Sequence, residues 1–139
     1  MPDHLFVYGT LRAESGHPMA RRLRVGAKLI GRGSAPGALY DFGSYPGAVF
    51  DPEARYRVIG DLFKLGPNPR LIADLDKYEG FKGEDDDLFR RIAIEVSLDQ
   101  GGKVEAWTYG LKDAPRARLI GAGDFIADRR LRAPRAARP

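Results

Sequence analysis

The run Leu5-Phe6-Val7-Tyr8-Gly9-Thr10-Leu11-Arg12 constrains this chain most. Leu5 to Tyr8 are apolar, aromatic or β-branched, the pattern of a buried strand. Gly9 ends the run, because a residue without Cβ reaches backbone angles and close approaches that a side chain forbids. Thr10, Leu11 and Arg12 follow at once. Successive N–H groups in such a turn can converge into a small anion-binding hollow. The same letters also describe a plain strand-to-loop corner.

The clearest helix follows a strand over Val58–Leu65. Gly66-Pro67-Asn68-Pro69 stops that strand, with Asn68 suited to an N-cap and Pro69 to the first helical position. Leu71, Ile72, Leu75 and Tyr78 then share one helical face, and the helix ends at Glu79 before Gly80. Phe89 to Leu98 alternates, with Ile92, Ile94, Val96 and Leu98 on one face. Asp99-Gln100-Gly101-Gly102 is a hairpin turn, and Val104–Tyr109 is the partner strand. Other elements are shorter. A helix starts at His17-Pro18, with Met19 and Leu23 as its apolar stripe. Val25–Ile30 is a strand, Gly31–Ser34 a flexible corner, and Ala38–Tyr40 and Ala48–Phe50 are short strands. From Tyr109 to Ile126 the chain reads as loop with one short helical turn. Strands outnumber helices, which predicts an α+β domain with a mostly antiparallel sheet.

Length suits one domain with one core, since the chain has 139 residues. No apolar run is long enough to cross a membrane. Met1-Pro2-Asp3-His4 lacks the basic-then-apolar order of a signal peptide, so a cytoplasmic location is expected. The sequence has no cysteine, which excludes disulfide and thiolate chemistry. The formal net charge of +4 is weighted to the end, in Arg129, Arg130, Arg132, Arg135 and Arg138. The domain is therefore placed at 1–126 and a basic, flexible tail at 127–139. A nucleic-acid role is not expected of that tail, because no aromatic residue interleaves its arginines to stack on bases. No membrane partner is expected, and the sequence does not fix the oligomeric state.

Two histidines, His4 and His17, are too few for a patterned metal site. Ser15, Ser34, Ser44 and Ser97 lie in no nucleophile-elbow context. The acidic stretch Gly83–Asp87 lacks the ligand spacing of a calcium loop and reads as solvated. Glu79 is the more informative acid. The carbonyl end of a helix disfavours a carboxylate anion, and shielding from water would raise its proton affinity further. Those are the conditions for a base that later acts as an acid near neutral pH. Read from its position alone, Glu79 equally fits a surface residue of the last helical turn.

Four stretches together resemble the γ-glutamylcyclotransferase-like family, most closely its small γ-glutamylamine cyclotransferase-like branch. They are Phe6-Val7-Tyr8-Gly9-Thr10-Leu11-Arg12, Tyr45-Pro46-Gly47, Leu75-Asp76-Lys77-Tyr78-Glu79-Gly80 and Gly121-Ala122-Gly123-Asp124-Phe125. The resemblance implies a γ-glutamylcyclotransferase-like fold, a small, partly closed, mixed and mostly antiparallel β-barrel with flanking helices. It implies a cyclotransferase that turns a γ-glutamyl amine or γ-glutamyl amino acid into 5-oxoproline and a free amine, with no cofactor or metal. The alternative is a non-catalytic module binding a γ-glutamyl-like small molecule. By resemblance Glu79 is the catalytic residue, and the N–H groups of Gly9, Thr10 and Leu11 face the substrate's α-carboxylate. Tyr8 lines the pocket. Tyr45 borders it or belongs to a structural turn, and Tyr109 forms a wall or simple core. Arg91 braces the site or is solvated, and Phe81–Asp87 forms the far side. Phe89 is a departure, since family members often carry tyrosine there and its hydroxyl is lost.

Overall fold

The computed structural model describes residues 2–12 and 16–132, the last by its backbone alone. In chain order the elements are β1 (His4–Val7), α1 (Pro18–Gly26), β2 (Ala27–Asp41), β3 (Pro46–Phe50) and β4 (Arg57–Leu65). Then come α2 (Arg70–Tyr78), β5 (Phe89–Leu98), β6 (Lys103–Leu111), β7 (Arg118–Leu119) and α3 (Phe125–Arg132). Strands β2, β4, β1, β6 and β5 follow one another, and β5 returns to β2 through Gly33↔Leu98 and Ser34↔Ser97. The sheet is thus a closed barrel. Only the β1–β6 pair is parallel among the described pairings, through Leu5↔Trp107, so the barrel is mixed and mostly antiparallel. The far half of β2 leaves the barrel and carries β3 and β7.

β1 lies between β4 and β6 and is buried on both faces. Leu5 and Val7 pack outward with Leu23 of α1 and Leu71 and Leu75 of α2. Phe6 packs the other way with Val58, Leu62, Val96 and Ala106. This two-sided burial accounts for the uninterrupted apolar run of Leu5 to Tyr8. The inward face read from the alternation of β5 is present, with Val96 buried and Ile94 and Leu98 packed beside it.

Several expectations are corrected. Residues 25–40 do not form two strands around a corner. Val25 and Gly26 end α1, and β2 runs without a break from Ala27 to Asp41, with one irregularity between Leu29 and Gly31. Gly33 of the supposed corner permits a close strand contact instead. A Cβ on Gly33 would lie 2.7 Å from the Ser97 carbonyl oxygen. The Asn68 cap is present, its Oδ1 accepting from the Arg70 N–H at 3.0 Å, although Pro69 takes the cap position itself. Tyr78 is exposed rather than part of the buried helical face, which consists of Leu71 and Leu75. The end of the chain is more structured than read. Arg118 of β7 joins Asp41 of β2 at 2.9 Å and Asp128 of α3 at 2.6 Å. α3 crosses position 126, while 133–139 lie outside the described residues. No helix among the described residues is long and apolar enough to cross a membrane.

Candidate active site

A cavity of about 420 Å³ opens where β1 ends, between the turn after it and the C-terminal end of α2. That volume suits a small molecule. Tyr8, Gly9, Thr10, Leu11, Tyr45, Glu79 and Tyr109, the site residues that the resemblance implies, all line it.

The Arg12 N–H donates to the Gly9 carbonyl at 3.1 Å and closes the turn. Among the described residues no turn or loop bond takes the N–H groups of Gly9, Thr10 or Leu11. Gly9 is required for a reason other than backbone angle, since its φ is not positive. A Cβ there would meet Pro46 Cγ at 2.7 Å and Cδ at 2.9 Å. Pro46 and Gly47 open strand β3 and are not the turn expected of Tyr45-Pro46-Gly47, which ends at Tyr45. Tyr45 stacks on Phe42 and meets the edge of Phe89 at the cavity mouth.

Arg12 anchors the turn from behind and is only 1% exposed. Its Nη1 donates to Asp124 Oδ1 at 2.7 Å, and Nε lies 3.7 Å from Asp61 Oδ2. Asp124 in turn accepts from Arg32 Nη2 at 2.9 Å and from the Ala127 N–H at 3.0 Å, so the turn is tied to the start of α3.

Glu79 caps the C-terminus of α2, its N–H bonded to the Leu75 carbonyl at 2.9 Å. Gly80, at φ 72°, turns the chain away. Burial pushes the Glu79 carboxyl up to about 7. Tyr8 and Tyr109 stand in the field of this carboxylate. Burial raises the Tyr8 phenol first, and the Glu79 charge adds to it. Burial also leads for Tyr109, followed by its bond to Asp76. The Tyr8 hydroxyl donates to the Tyr109 carbonyl at 2.5 Å and accepts from the Ala48 N–H at 3.2 Å. The Tyr109 hydroxyl donates to Asp76 Oδ1 at 2.6 Å, while Arg91 Nη1 holds Asp76 Oδ2 at 2.6 Å. With both hydroxyl hydrogens committed, either phenol offers a bound group an oxygen lone pair.

Arg91 therefore braces the wall from outside the cavity, its guanidinium between Phe81 and Trp107 at 5.7 and 4.8 Å. Asp76, the bridge between Arg91 and Tyr109, belongs to the Leu75–Gly80 stretch, but nothing in the local pattern assigns it that role. Tyr78 is a further member of the mouth. The Met19 N–H donates to His17 Nδ1 at 3.1 Å, which places the neutral ring's proton on Nε2, 3.2 Å from the Tyr78 hydroxyl. That hydroxyl reaches Thr10 Oγ1 at 3.4 Å. The far side is formed by Leu88 and Phe89, not by Phe81–Asp87. That acidic loop folds on itself, with Asp87 Oδ2 accepting from the N–H groups of Lys82, Gly83 and Glu84.

A sequence model of the family described as "Gamma-glutamyl cyclotransferase, AIG2-like" matches residues 5–127. A Vibrio cholerae protein named "Putative gamma-glutamylcyclotransferase" is 33% identical over 129 residues, covering 90% of this chain and 96% of its own. An AIG2-like protein from Mus musculus has the same fold, with a TM-score of 0.70 at 21% identity over 89% of this chain and 88% of that one. YkqA from Bacillus subtilis also superposes with a TM-score of 0.70 at 24% identity. The match takes in 94% of this chain but 42% of YkqA.

Proposed function

From the premise that the chain belongs to the AIG2-like γ-glutamylcyclotransferase family, we propose that it converts a γ-glutamyl amide to 5-oxoproline and a free amine. The observation that carries this reading is Glu79, a carboxyl raised to about 7 by burial, across one cavity from a turn whose N–H groups are taken by no turn or loop bond among the described residues. The α-carboxylate sits on the N–H groups of Gly9, Thr10 and Leu11. The α-ammonium lies toward Glu79, Tyr8 and Tyr109, all of which present acceptor oxygens.

Ionised Glu79 takes one proton from the α-ammonium and leaves a neutral amine. Its nitrogen attacks the γ-carbonyl carbon, forming the ring C–N bond as the carbonyl electron pair moves to oxygen. Protonated Glu79 gives its proton to the departing nitrogen. The carbonyl re-forms and the bond to the departing amine breaks. The ring nitrogen's surplus proton passes through Glu79 to the released amine, which leaves as its ammonium. Glu79 ends ionised, as it began, and no water is consumed. The substrate supplies its own nucleophile, and holding it in the ring-closing conformer gives a large effective molarity.

The test is Glu79→Gln. Turnover of a γ-glutamyl amide, read as 5-oxoproline, falls about a hundredfold or more. Affinity for 5-oxoproline changes little, because the backbone turn is untouched. Full activity in a folded variant would remove Glu79 from the mechanism. Binding of γ-glutamyl amides without turnover by the unaltered protein would favour a binding module, a reading to which Phe89, with no hydroxyl, lends some support.

A further inference from the structure

We propose that a slot in the barrel wall, sharing no lining residue with the Glu79 cavity, takes the C-terminal end of a partner polypeptide as a strand added to β5, with its carboxylate between Arg57 and Lys103. The slot arises because β2 exchanges neighbours along one edge. The Arg32 carbonyl accepts from the Asp99 N–H at 2.9 Å, and the Pro36 carbonyl accepts from the Asp51 N–H at 3.2 Å. Four residues apart in one strand, both carbonyls point the same way. That edge of β2 therefore pairs with β5 at Gly33 and Ser34 and with β3 from Gly37 onward.

Between those pairings the wall parts, leaving a space of about 460 Å³. Ala35, Phe50, Ile92 and Ile94 give it an apolar floor, with Phe50 and Ile94 packed against the inner core. One side of the slot is the backbone of β5. That strand pairs with β6 in unbroken register from Phe89 to Ser97. The Leu98 N–H turns to the Gly102 carbonyl at 2.9 Å, while the Asp99 N–H turns to β2. Counting back by twos from Asp99, the backbone groups of Glu95 and Ala93 turn into the slot. No strand among the described residues pairs with them there. A free edge of this kind is a template for another strand, and strand addition is an established way of holding a peptide.

Charge sets the direction of the added strand. The slot closes at the Ser34↔Ser97 pair. Arg57 Nε donates to Ser34 Oγ at 2.8 Å and Nη2 to the Ser34 carbonyl at 3.1 Å, which holds the guanidinium at this end. Lys103 lies directly opposite Ser97 on β6. Its Nζ is 3.6 Å from Glu95 Oε1, with the two side chains 68% and 67% exposed, so the pair is weak and open to a competitor. Asp51, the other carboxylate of the slot, turns Oδ1 to the Glu53 N–H at 2.9 Å. Two cations and the Ser97 hydroxyl thus meet at the closed end, where a carboxylate gains charge-assisted hydrogen bonds. A strand whose C-terminus lies there runs parallel to β5. Its inward side chains are removed from water on Phe50, Ile92 and Ile94, so the last residue is apolar.

This inference does not depend on the cyclotransferase reading. The test titrates the protein into N-terminally fluorescein-labelled hexapeptides ending in leucine or phenylalanine, each as free acid and as C-terminal amide, and follows fluorescence anisotropy. The acids are expected to bind about tenfold or more tightly than the amides. Arg57→Gln combined with Lys103→Gln is expected to bring the acids down to the affinity of the amides. Ala93→Pro places a ring on the free edge, where proline is tolerated, and is expected to weaken the acids about tenfold with little change in melting temperature. Equal affinity of acid and amide for the unaltered protein overturns the inference. So does an unchanged preference for the acid in the double variant, unchanged affinity in a folded Ala93→Pro protein, or no binding of either acid at ~1 mM. If Ala93→Pro does not fold, the acid and amide comparison and the double variant decide.

Discussion

The turn Gly9–Arg12 and the segment Glu79–Phe89 face each other across one cavity and are held by different means. The turn is backed by a buried guanidinium with two carboxylates around it, and Pro46 presses on its glycine. The opposite segment begins at a helix cap and ends in side chains that stand half in water. Backbone N–H groups fixed from behind suit the part of a substrate that does not vary. Exposed apolar side chains suit the part that does. Rigidity and permissiveness are divided between the walls.

That contrast is broken most severely at Arg12. Arg12→Met leaves Asp124 and Asp61 buried against an apolar side chain, and loses about 3–5 kcal/mol of stability in urea unfolding. A loss below about 1 kcal/mol would show that the turn has another anchor. Glu79 comes next. Its folded carboxyl titrates at about 7 against an ordinary 4.5, so between those values the folded state binds more protons than the unfolded one. Stability from this group is complete below about pH 4.5 and is lost as pH rises through about 7. Glu79→Gln removes that dependence and is more stable than the parent at pH 8 by about 2 kcal/mol, with little difference at pH 4.5. Parallel melts at the two pH values check the sign. Turnover runs the other way and climbs through about pH 7 as Glu79 ionises.

A smaller effect is expected at Gly9. In Gly9→Ala the new methyl pushes on Pro46, and affinity for 5-oxoproline drops about tenfold by calorimetry while the melting temperature moves little. An unchanged affinity would mean that the turn tolerates displacement. The smallest effect belongs to the exposed wall. His17→Ala removes a cap from α1 and a partner from Tyr78, costing about 1 kcal/mol of stability. Its expected kinetic signature is a higher KM with kcat held, because Tyr78 lines the cavity at its mouth.

The sequence carried the first wall better than the second. Leu5 to Gly9 announced a strand and its abrupt end, and α2 announced its own stop beside Glu79. Arg12 was quoted in the motif, yet its burial depends on Asp61 and Asp124, far along the chain, which local pattern cannot pair. Tyr78 looked like core because helical periodicity does not say how far around the helix its packing extends. Leu88 follows an acidic loop and gave no periodic signal at all. β2 was cut in two because glycine marks both a loop and a close strand contact. α3 was missed because the Arg118–Asp128 ion pair, the Asp124 cap and one buried side chain, Phe125, hold it in place rather than an apolar stripe.

The central place of β1 has a consequence for how the chain matures. β1 leaves the ribosome before both of its neighbours, β4 and β6. It therefore waits unpaired until each of them has been made. The barrel closes only after Ser97 and Leu98 reach Ser34 and Gly33. Such long-range pairing is slow to nucleate, and an apolar strand without partners is prone to association meanwhile. The hollow hanging from β1 is assembled late, though its backbone is made before either neighbouring strand. A nascent chain halted before β6 would hold the complete Gly9–Arg12 sequence and no cavity.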